Sequence, residues 1–377
     1  MSLFRAIAGP IAASIAFVME LTLVPLILPA IQSHYDLSLG SMAWVFNAYG
    51  IAVAVGVIAG GWIGDAFGAK RIFGIGVLMF ALGAAIVASS ASFEALIAGR
   101  VLQGFGGGVF SPLVPLLLTK ALPLRPGKIL IIWGSVTGYV AAFAPFAAGQ
   151  VVAFVGWQSV FVFFVVLSGA VLLLSAGNGA TQTEAAPRTT PNLLLLTKAR
   201  VLWLVFGYIF CTYGAITFYL FRLPLLLAET SYTVETIGVV LATIWMSFSI
   251  VGTLLRNWVD GSHIRSIVLA APVLIAASFL TAYLSSDAIW LMISAILIGA
   301  GFACSNAPST QLVLKFAPPG LSVISASLDI TFARLGGVVT VAWLAQSDFS
   351  HSVLVIAGLS LAAVVFAMVF LRRNSEA

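Results

Sequence analysis

Charged residues are scarce in this sequence. Asp, Glu, Lys and Arg together make up 8% of its 377 residues, while hydrophobic residues make up 61%. A soluble domain is typically about a quarter charged, because its exterior has to be polar. The apolar stretches run continuously for about 20 residues, which is typical of helices that cross a bilayer and not of β-barrel strands. The composition therefore predicts an all-α membrane protein, since helices satisfy their own backbone hydrogen bonds in lipid.

Cysteine and histidine are almost absent. Cys211 and Cys304 lie far apart in apolar segments, so their spacing indicates neither a disulfide framework nor a metal site. His34, His263 and His351 fall in predicted loops or at their edge. The sequence also lacks a His-Glu-x-x-His helix, a Gly-x-x-x-x-Gly-Lys-[Ser/Thr] phosphate loop and a dinucleotide fingerprint. We therefore expect no metal, no cofactor and no enzyme, and an intramembrane enzyme is only a distant alternative.

Glycine, proline and charge clusters divide the apolar sequence into twelve predicted transmembrane helices. A stretch rich in Thr, Ala, Gly and Pro, "GNGATQTEAAPRTTPN", separates the first six helices from the last six. We predict an N-terminal six-helix bundle over 1–176, a cytoplasmic linker over 177–198 and a C-terminal six-helix bundle over 199–377. The helices are predicted at 6–32, 41–63, 72–90, 94–119, 128–154, 157–176, 200–228, 235–256, 265–285, 288–314, 320–346 and 351–371.

The positive charges predict an orientation. Cytoplasmic loops carry an excess of Lys and Arg. With the N-terminus inside, fourteen of the seventeen Lys and Arg residues fall on the cytoplasmic side, and no outer loop holds one. We therefore expect a multi-pass protein of the cell membrane, in bacteria the inner membrane, with both termini cytoplasmic. Nucleic acid is not an expected partner, because the positive charge is scattered over short loops without interleaved aromatic residues.

Five ionisable residues fall inside predicted helices, where a charge costs about 2.5–3.5 kcal/mol. Glu20 and Asp329 lie deep in helices one and eleven. Hydrocarbon disfavours their charged form, so they are candidates to load and release protons. Alternatively, each is a structural carboxylate permanently paired with an arginine. Arg100 in helix four is predicted to tune Glu20 or, alternatively, to extend partly to the outer surface.

A polar and aromatic stripe follows one face of predicted helix seven. Tyr208, Thr212, Ala215, Tyr219 and Arg222 occur at the spacing i, i+4, i+7, i+11 and i+14. Such a stripe is better suited to line a cavity than to face lipid, although Arg222 lies near the outer end, where extension to the surface is an alternative. The predicted substrate-binding residues are Glu20, Tyr208, Thr212, Tyr219, Arg222, Asp329 and Arg334.

A charged cluster separates helices two and three. Asp65, Lys70 and Arg71 stand among glycines in "GGWIGDAFGAKR", residues 60–71. A degenerate copy, "GTLLRNWVDGSHIR" at 252–265, follows helix eight. Together with the linker, the copy supports two duplicated six-helix halves, an architecture in which the substrate site forms at the midplane between repeats.

These segments resemble the major facilitator superfamily and, within it, the drug–proton antiporter families. "RVLQGFGGG" (100–108) resembles the helix-four signature of proton-coupled members, and "ELTLVPLILPAIQ" (20–32) is similar to the helix-one pattern with its acidic residue. The helix-five antiporter motif is represented by Gly138, Pro145 and Gly149, with Ala144 and Ala148 where glycine is usual. The superfamily's loop signature, Gly-x-x-x-Asp-x-x-Gly-x-[Arg/Lys]-[Arg/Lys], is matched by Gly61, Asp65, Gly68, Lys70 and Arg71.

The resemblance implies the major facilitator fold and a cytoplasmic gate at that loop. On the other interpretation, the charges of the loop only fix the orientation of the protein in the membrane. We predict a monomeric, proton-coupled antiporter that exports a small hydrophobic or amphipathic compound by alternating access. Glu20 is the predicted proton carrier and Asp329 the second candidate. The alternative is a proton-coupled importer of an anionic metabolite or metal chelate, with Arg222 and Arg334 binding its carboxylates.

Overall fold

The computed structural model describes residues 2–121, 126–176, 194–255, 258, 263–285, 287–319 and 321–375. These residues form fourteen helices: α1 Ser2–Tyr35, α2 Leu39–Phe67, α3 Ala69–Ala88, α4 Phe93–Phe110, α5 Leu113–Ala121, α6 Pro126–Val155, α7 Gln158–Ala176, α8 Leu194–Lys198, α9 Arg200–Glu229, α10 Val234–Leu255, α11 Ile264–Leu284, α12 Ala288–Phe316, α13 Ser322–Leu344 and α14 Phe349–Ser375.

Twelve spans within the described residues are long and apolar enough to cross a membrane, which confirms the predicted fold class. The fourth span, Phe93–Ala121, is made of two helices, α4 and α5, that meet at Ser111 and Pro112. A proline has no N–H to donate and so interrupts the helical hydrogen-bond ladder. The short helix α8 lies in the segment predicted as linker, and residues 177–193 of that prediction lie outside the described residues.

Helices α2 and α3 are joined by a single residue, Gly68. The sequence predicted helices over 41–63 and 72–90 with a loop between them, whereas α2 extends to Phe67 and α3 begins at Ala69. Gly68 has a φ of 92°, which strains any residue that carries a Cβ. Its N–H donates to the Gly64 carbonyl at 3.1 Å, and its carbonyl accepts from the Ile72 N–H at 3.2 Å. The predicted loop is therefore wrong in extent, because one glycine both ends α2 and begins α3.

The chain divides into two compact units, residues 1–189 and 190–377. In the first unit, α4 packs against α2 and α3, and α1 packs against α6 and α7. In the second unit, α9 packs against α13 and α14, and α12 packs against α10 and α11. The assignment of 177–198 as a cytoplasmic linker between two six-helix bundles stays a prediction.

Glycines bring α4 into backbone contact with its neighbours. A Cβ added to Gly83 of α3 would lie 2.3 Å from the backbone nitrogen of Gln103. A Cβ added to Gly60 of α2 would lie 2.3 Å from the carbonyl oxygen of Val109. Small residues at such interfaces let membrane helices approach closely, and van der Waals packing then holds them together. These two contacts therefore position α4, which carries Arg100.

Gly83→Ala is expected to destabilise the purified protein, because the added methyl group forces α3 and α4 apart. Overpacking of this kind costs about 1–3 kcal/mol. The matched control is Gly74→Ala in the same helix, where an added Cβ meets no atom within 4 Å. Thermal midpoints in detergent check the prediction. A midpoint for Gly83→Ala equal to that of Gly74→Ala would contradict the close packing.

Candidate functional site

A buried ion pair joins α1 and α4 in the first unit. Arg100 Nη1 lies 2.5 Å from Glu20 Oε1, and each side chain is 2% exposed. The structure thus brings together the two residues that the sequence singled out for proton coupling in this unit. Arg100 does not extend to the surface. Removing either partner would leave a buried charge uncompensated, which is strongly destabilising.

Arg100 is held by more than Glu20. Its Nε donates to the Val45 carbonyl of α2 at 3.0 Å, and its Nη1 donates to Gln103 Oε1 at 2.9 Å. The guanidinium carbon lies 4.4 Å from the ring centre of Tyr49 in α2 and 6.0 Å from that of Phe161 in α7. Aromatic faces attract a guanidinium group. Arg100 is therefore anchored to α2, α7 and its own helix independently of α1.

Glu20 has no comparable support. Among the described residues, Arg100 is the one polar partner of its carboxylate. The amide Nε2 of wholly buried Gln103 likewise has no acceptor among them. The ion pair is thus asymmetric: the cation is fixed by several groups, and the carboxylate is fixed by the cation.

Asp329 lies in a different environment in the second unit. It is 6% exposed, and its Oδ2 accepts a hydrogen bond from Thr310 Oγ1 of α12 at 2.7 Å. No Lys or Arg among the described residues lies within 4.0 Å of its carboxylate oxygens. Arg334 lies half-buried five residues further along α13. Unlike Glu20, Asp329 is a buried carboxylate whose partner in the described part of the chain is a hydroxyl group.

The stripe on α9 is buried inside the second unit. Ala215 is 1% exposed, and the polar members are buried as well. Three hydroxyl groups of the stripe bond to neighbouring helices, Tyr208 to Val268 (2.9 Å), Thr212 to Ser305 (3.0 Å) and Tyr219 to Ser294 (2.5 Å). Hydrogen bonds of this kind are typical of helix packing in membranes. The role of these residues in substrate binding stays a prediction, and their contacts favour packing.

Arg222, at the end of the stripe, is paired with Glu229. Its Nη1 lies 2.7 Å from Glu229 Oε1, and its Nη2 lies 3.4 Å from Oε2. The Arg222 side chain is 9% exposed and that of Glu229 is 49% exposed. The buried guanidinium group is therefore paired with a carboxylate near the C-terminal end of α9, and the role of Arg222 in substrate binding stays a prediction.

The predicted gate residues surround the junction of α2 and α3. Gly61 and Asp65 lie in the last two turns of α2, and Lys70 and Arg71 lie in the first turn of α3, on either side of Gly68. Arg71 is exposed and Lys70 is half-buried. The side chain of Asp65 lies outside the described part of the chain, so its predicted partners stay a prediction.

The predicted helix-five residues, Gly138, Pro145 and Gly149, all lie in α6. Pro145 and Gly149 are buried, and Gly138 is half-buried. Helix α6 packs against α1, and Trp133 Nε1 donates a hydrogen bond to Ser14 Oγ of α1 at 2.7 Å. The motif therefore belongs to a helix in direct contact with the one that carries Glu20.

Sequence reasoning missed the partners of Arg100 and a group of aromatic residues in the second unit. Val45, Tyr49 and Phe161 lie in apolar runs and form no pattern in the sequence. The missed aromatic cluster consists of Tyr213 of α9, Trp245 and Phe248 of α10, and Phe302 of α12. In the described residues, no three His, Cys, Asp or Glu side chains come together as metal ligands would.

Comparison with known proteins identifies relatives of the chain. A family model described as Major Facilitator Superfamily matches residues 11–341. The tetracenomycin C resistance and export protein of Streptomyces glaucescens is 35% identical over 202 residues, which cover 51% of this chain and 36% of that protein. The methylenomycin A resistance protein of Bacillus subtilis (strain 168) is 32% identical over 160 residues, or 42% of this chain and 34% of that protein. The chain thus matches about a third of the length of these relatives.

A solved structure shares the fold. The D-xylose-proton symporter superposes with a TM-score of 0.79, covering 98% of this chain and 97% of the symporter. The two sequences are 15% identical. The likeness therefore concerns the arrangement of helices and not the substrate.

Proposed function

The chain belongs to the major facilitator superfamily, and from this membership we propose that it exports a small hydrophobic or amphipathic compound in exchange for protons. Export is supported by the names of the relatives, one of which describes resistance and export and the other resistance. The family and its relatives confirm that the chain is not an enzyme. We further propose a monomer that works by alternating access in a bacterial inner membrane, with both termini cytoplasmic.

The asymmetric ion pair of Glu20 and Arg100 is the observation that carries the proton coupling. A carboxylate beside a guanidinium group stays ionised, whereas hydrocarbon favours the protonated acid once the guanidinium group is withdrawn. Because Arg100 is anchored to α2 and α7, a movement of α1 relative to α4 separates the pair. Glu20 then takes up a proton in place of its counter-ion, and it releases the proton when the pair re-forms.

The same carboxylate can serve the substrate. With Glu20 ionised and apart from Arg100, a cationic group of the substrate can take the position of the guanidinium group. With Glu20 protonated, the site is neutral and no longer attracts a cation. Proton and substrate therefore occupy the site in turn, which is the condition for antiport. Asp329 remains the second candidate for this role.

We propose that the α2–α3 junction is a cytoplasmic gate. The single-residue turn at Gly68 holds the end of α2 close to the start of α3. Asp65 precedes Gly68 by three residues, and Lys70 and Arg71 follow it by two and three residues, so one short segment carries both signs of charge, as a breakable contact requires. The other interpretation, in which these charges only fix orientation, predicts that neutralising Asp65 leaves the transport rate unchanged.

The direction of flux tests the proposed export. In proteoliposomes with an acidic lumen, we expect a compound to which expression confers resistance to accumulate inside, because protons leaving the lumen drive it inward through an antiporter. Vesicles with equal pH on both sides, and acidic vesicles treated with a protonophore, are the controls. Expulsion of the compound from the acidic lumen would contradict export and support proton-coupled uptake.

The uptake alternative depended on Arg222 and Arg334 as ligands for an anion. Arg222 already forms an ion pair with Glu229, which removes one of those two guanidinium groups. The contacts of the described residues therefore favour export.

A further inference from the structure

Three helices of the second unit converge at the side chain of Tyr208. The buried Tyr208 of α9 donates a hydrogen bond to the Val268 carbonyl of α11 at 2.9 Å, and its ring centre lies 6.0 Å from that of Phe370 in α14. A helical side chain leans towards the N-terminus of its helix, so Tyr208 makes these contacts towards the start of α9. The start of α9, the start of α11 and the end of α14 therefore lie side by side.

Each of these three helix ends carries an exposed arginine. Arg200 is the first residue of α9, Arg265 lies in the first turn of α11, and Arg372 lies in the last turn of α14. The nearest buried apolar residues on the three helices belong to one hydrophobic cluster: Leu202, Ile267 and Leu371. That cluster holds the helix ends together, so three arginines that are far apart in the sequence share one end of the unit.

Charge of one sign collects at this end of the second unit. Lys198, exposed two residues before Arg200, adds a fourth cation. Four acids of the unit lie at the opposite ends of its helices: Glu229, Glu235, Asp287 and Asp348. Asp329, the remaining acid in the described part of the unit, is buried within α13. Anions are therefore attracted to the end that carries the arginines.

An exposed apolar stripe on α14 leads to Arg372. Leu361, Val365 and Met368 precede Arg372 at spacings of four, three and four residues, so all four share one face of the helix. The stripe belongs to a span that ends at Arg372. Its length is about 16 Å, which matches one leaflet, or half of a hydrocarbon core about 30 Å thick. Acyl chains that follow the stripe place the phosphate group of a phospholipid beside Arg372.

We propose that Arg200, Arg265 and Arg372 form a binding surface for the headgroup of an anionic phospholipid, whose acyl chains follow the apolar stripe of α14. Paired guanidinium N–H groups suit phosphate oxygens, and Lys198 adds a further point charge. A zwitterionic phospholipid offers the same phosphate group, but the neighbouring cations repel its amine. The inference depends neither on the direction of transport nor on proton coupling.

Binding of two fluorescent phospholipids to the purified full chain in detergent tests the surface. A phosphatidylglycerol and a phosphatidylcholine with the same acyl chains and fluorophore are compared by fluorescence anisotropy. Arg200→Gln, Arg265→Gln and Arg372→Gln are each expected to weaken phosphatidylglycerol binding about fivefold, because each removes one cation. Each should leave phosphatidylcholine binding unchanged. Unchanged phosphatidylglycerol binding in all three variants would overturn the surface.

The matched control is Lys120→Gln, which removes an exposed cation from the last turn of α5 in the first unit. It should bind both lipids like the unmodified chain, whereas a loss equal to that of the arginine variants would indicate net charge alone and overturn the surface. If a glutamine variant aggregates in gel filtration, a salt titration of the unmodified chain takes its place. Added salt should weaken phosphatidylglycerol binding selectively. Equal salt dependence of both lipids would overturn the preference for anionic headgroups.

Two further measurements separate a lipid from a soluble phosphate compound. Met368→Ser should weaken both lipids, because it places a hydroxyl group in the apolar stripe; unchanged binding would overturn the role of the stripe. An excess of glycerol 3-phosphate should leave phosphatidylglycerol bound, since that compound has no acyl chains. Displacement by glycerol 3-phosphate would mean that the arginines bind soluble phosphate esters and would overturn the assignment to a lipid.

Discussion

Glu20→Gln is expected to reduce accumulation driven by a proton gradient at least tenfold, which corresponds to about 1.4 kcal/mol or more. Glutamine has nearly the same shape and keeps an oxygen that can accept a hydrogen bond from Arg100. It cannot bind or release a proton, so the gradient is no longer coupled to substrate movement. Transport into proteoliposomes with an acidic lumen measures the loss.

Two controls separate lost coupling from lost structure. Glu94→Gln makes the same chemical change at an exposed position in the first turn of α4, and it should transport like the unmodified chain. Exchange of labelled for unlabelled neutral substrate at equal pH requires neither net proton movement nor a negative charge at Glu20, so it should persist in Glu20→Gln. Accumulation by Glu20→Gln at the level of Glu94→Gln would rule out Glu20 as the proton carrier.

Arg100→Ala is expected to destabilise the first unit strongly. It leaves the Glu20 carboxylate buried without its one described partner, and breaking a buried ion pair in this way costs about 3–5 kcal/mol. The same change removes the contacts with Val45, Tyr49 and Phe161. Thermal midpoints and protease resistance in detergent are the measurements.

A double variant identifies the source of that cost. Glu20→Leu combined with Arg100→Met replaces both charges by apolar groups of similar volume, a change that is often neutral or stabilising for a buried pair. We expect the double variant to recover most of the stability lost in Arg100→Ala and yet to show no proton-driven transport. A double variant no more stable than Arg100→Ala would mean that the uncompensated charge of Glu20 is not the main cost.

The sequence predicted the helices well, because long apolar runs end where charge, glycine or proline begins. It placed α9 at 200–228, and the helix spans Arg200–Glu229. It did not predict the one-residue junction at Gly68, since the charged residues beside that glycine suggested a loop. The break between α4 and α5 was missed as well, because the apolar run continues through Ser111 and Pro112.

The candidate site was predictable only in part. Glu20, Asp329 and Arg100 stand out because a charge in lipid is costly wherever the helices lie. Which of them meet depends on the rotation of each helix about its axis, which a single sequence does not specify. The pairing of Arg100 with Glu20, and the absence of such a partner for Asp329 in the described residues, therefore came from the structure.

The aromatic cluster left no signal in the sequence. Its residues come from α9, α10 and α12, and aromatic residues make up 12% of the chain, so no single one is conspicuous. The stripe on α9, in contrast, was visible in the sequence. Its spacing was read correctly as one face of a helix, but Tyr208 and Tyr219 turn that face towards neighbouring helices of the same unit.

Infrared difference spectroscopy of the protein in lipid tests the role of Glu20 most directly, because it observes carboxyl protonation without any substrate. With Asp329→Asn as the background, so that the other buried carboxylate is silent, we predict that lowering the pH from alkaline to mildly acidic values gives a protonated-carboxyl band that is missing after Glu20→Gln and retained after Glu94→Gln. The same band after Glu20→Gln, or no band before it, would contradict proton uptake by Glu20.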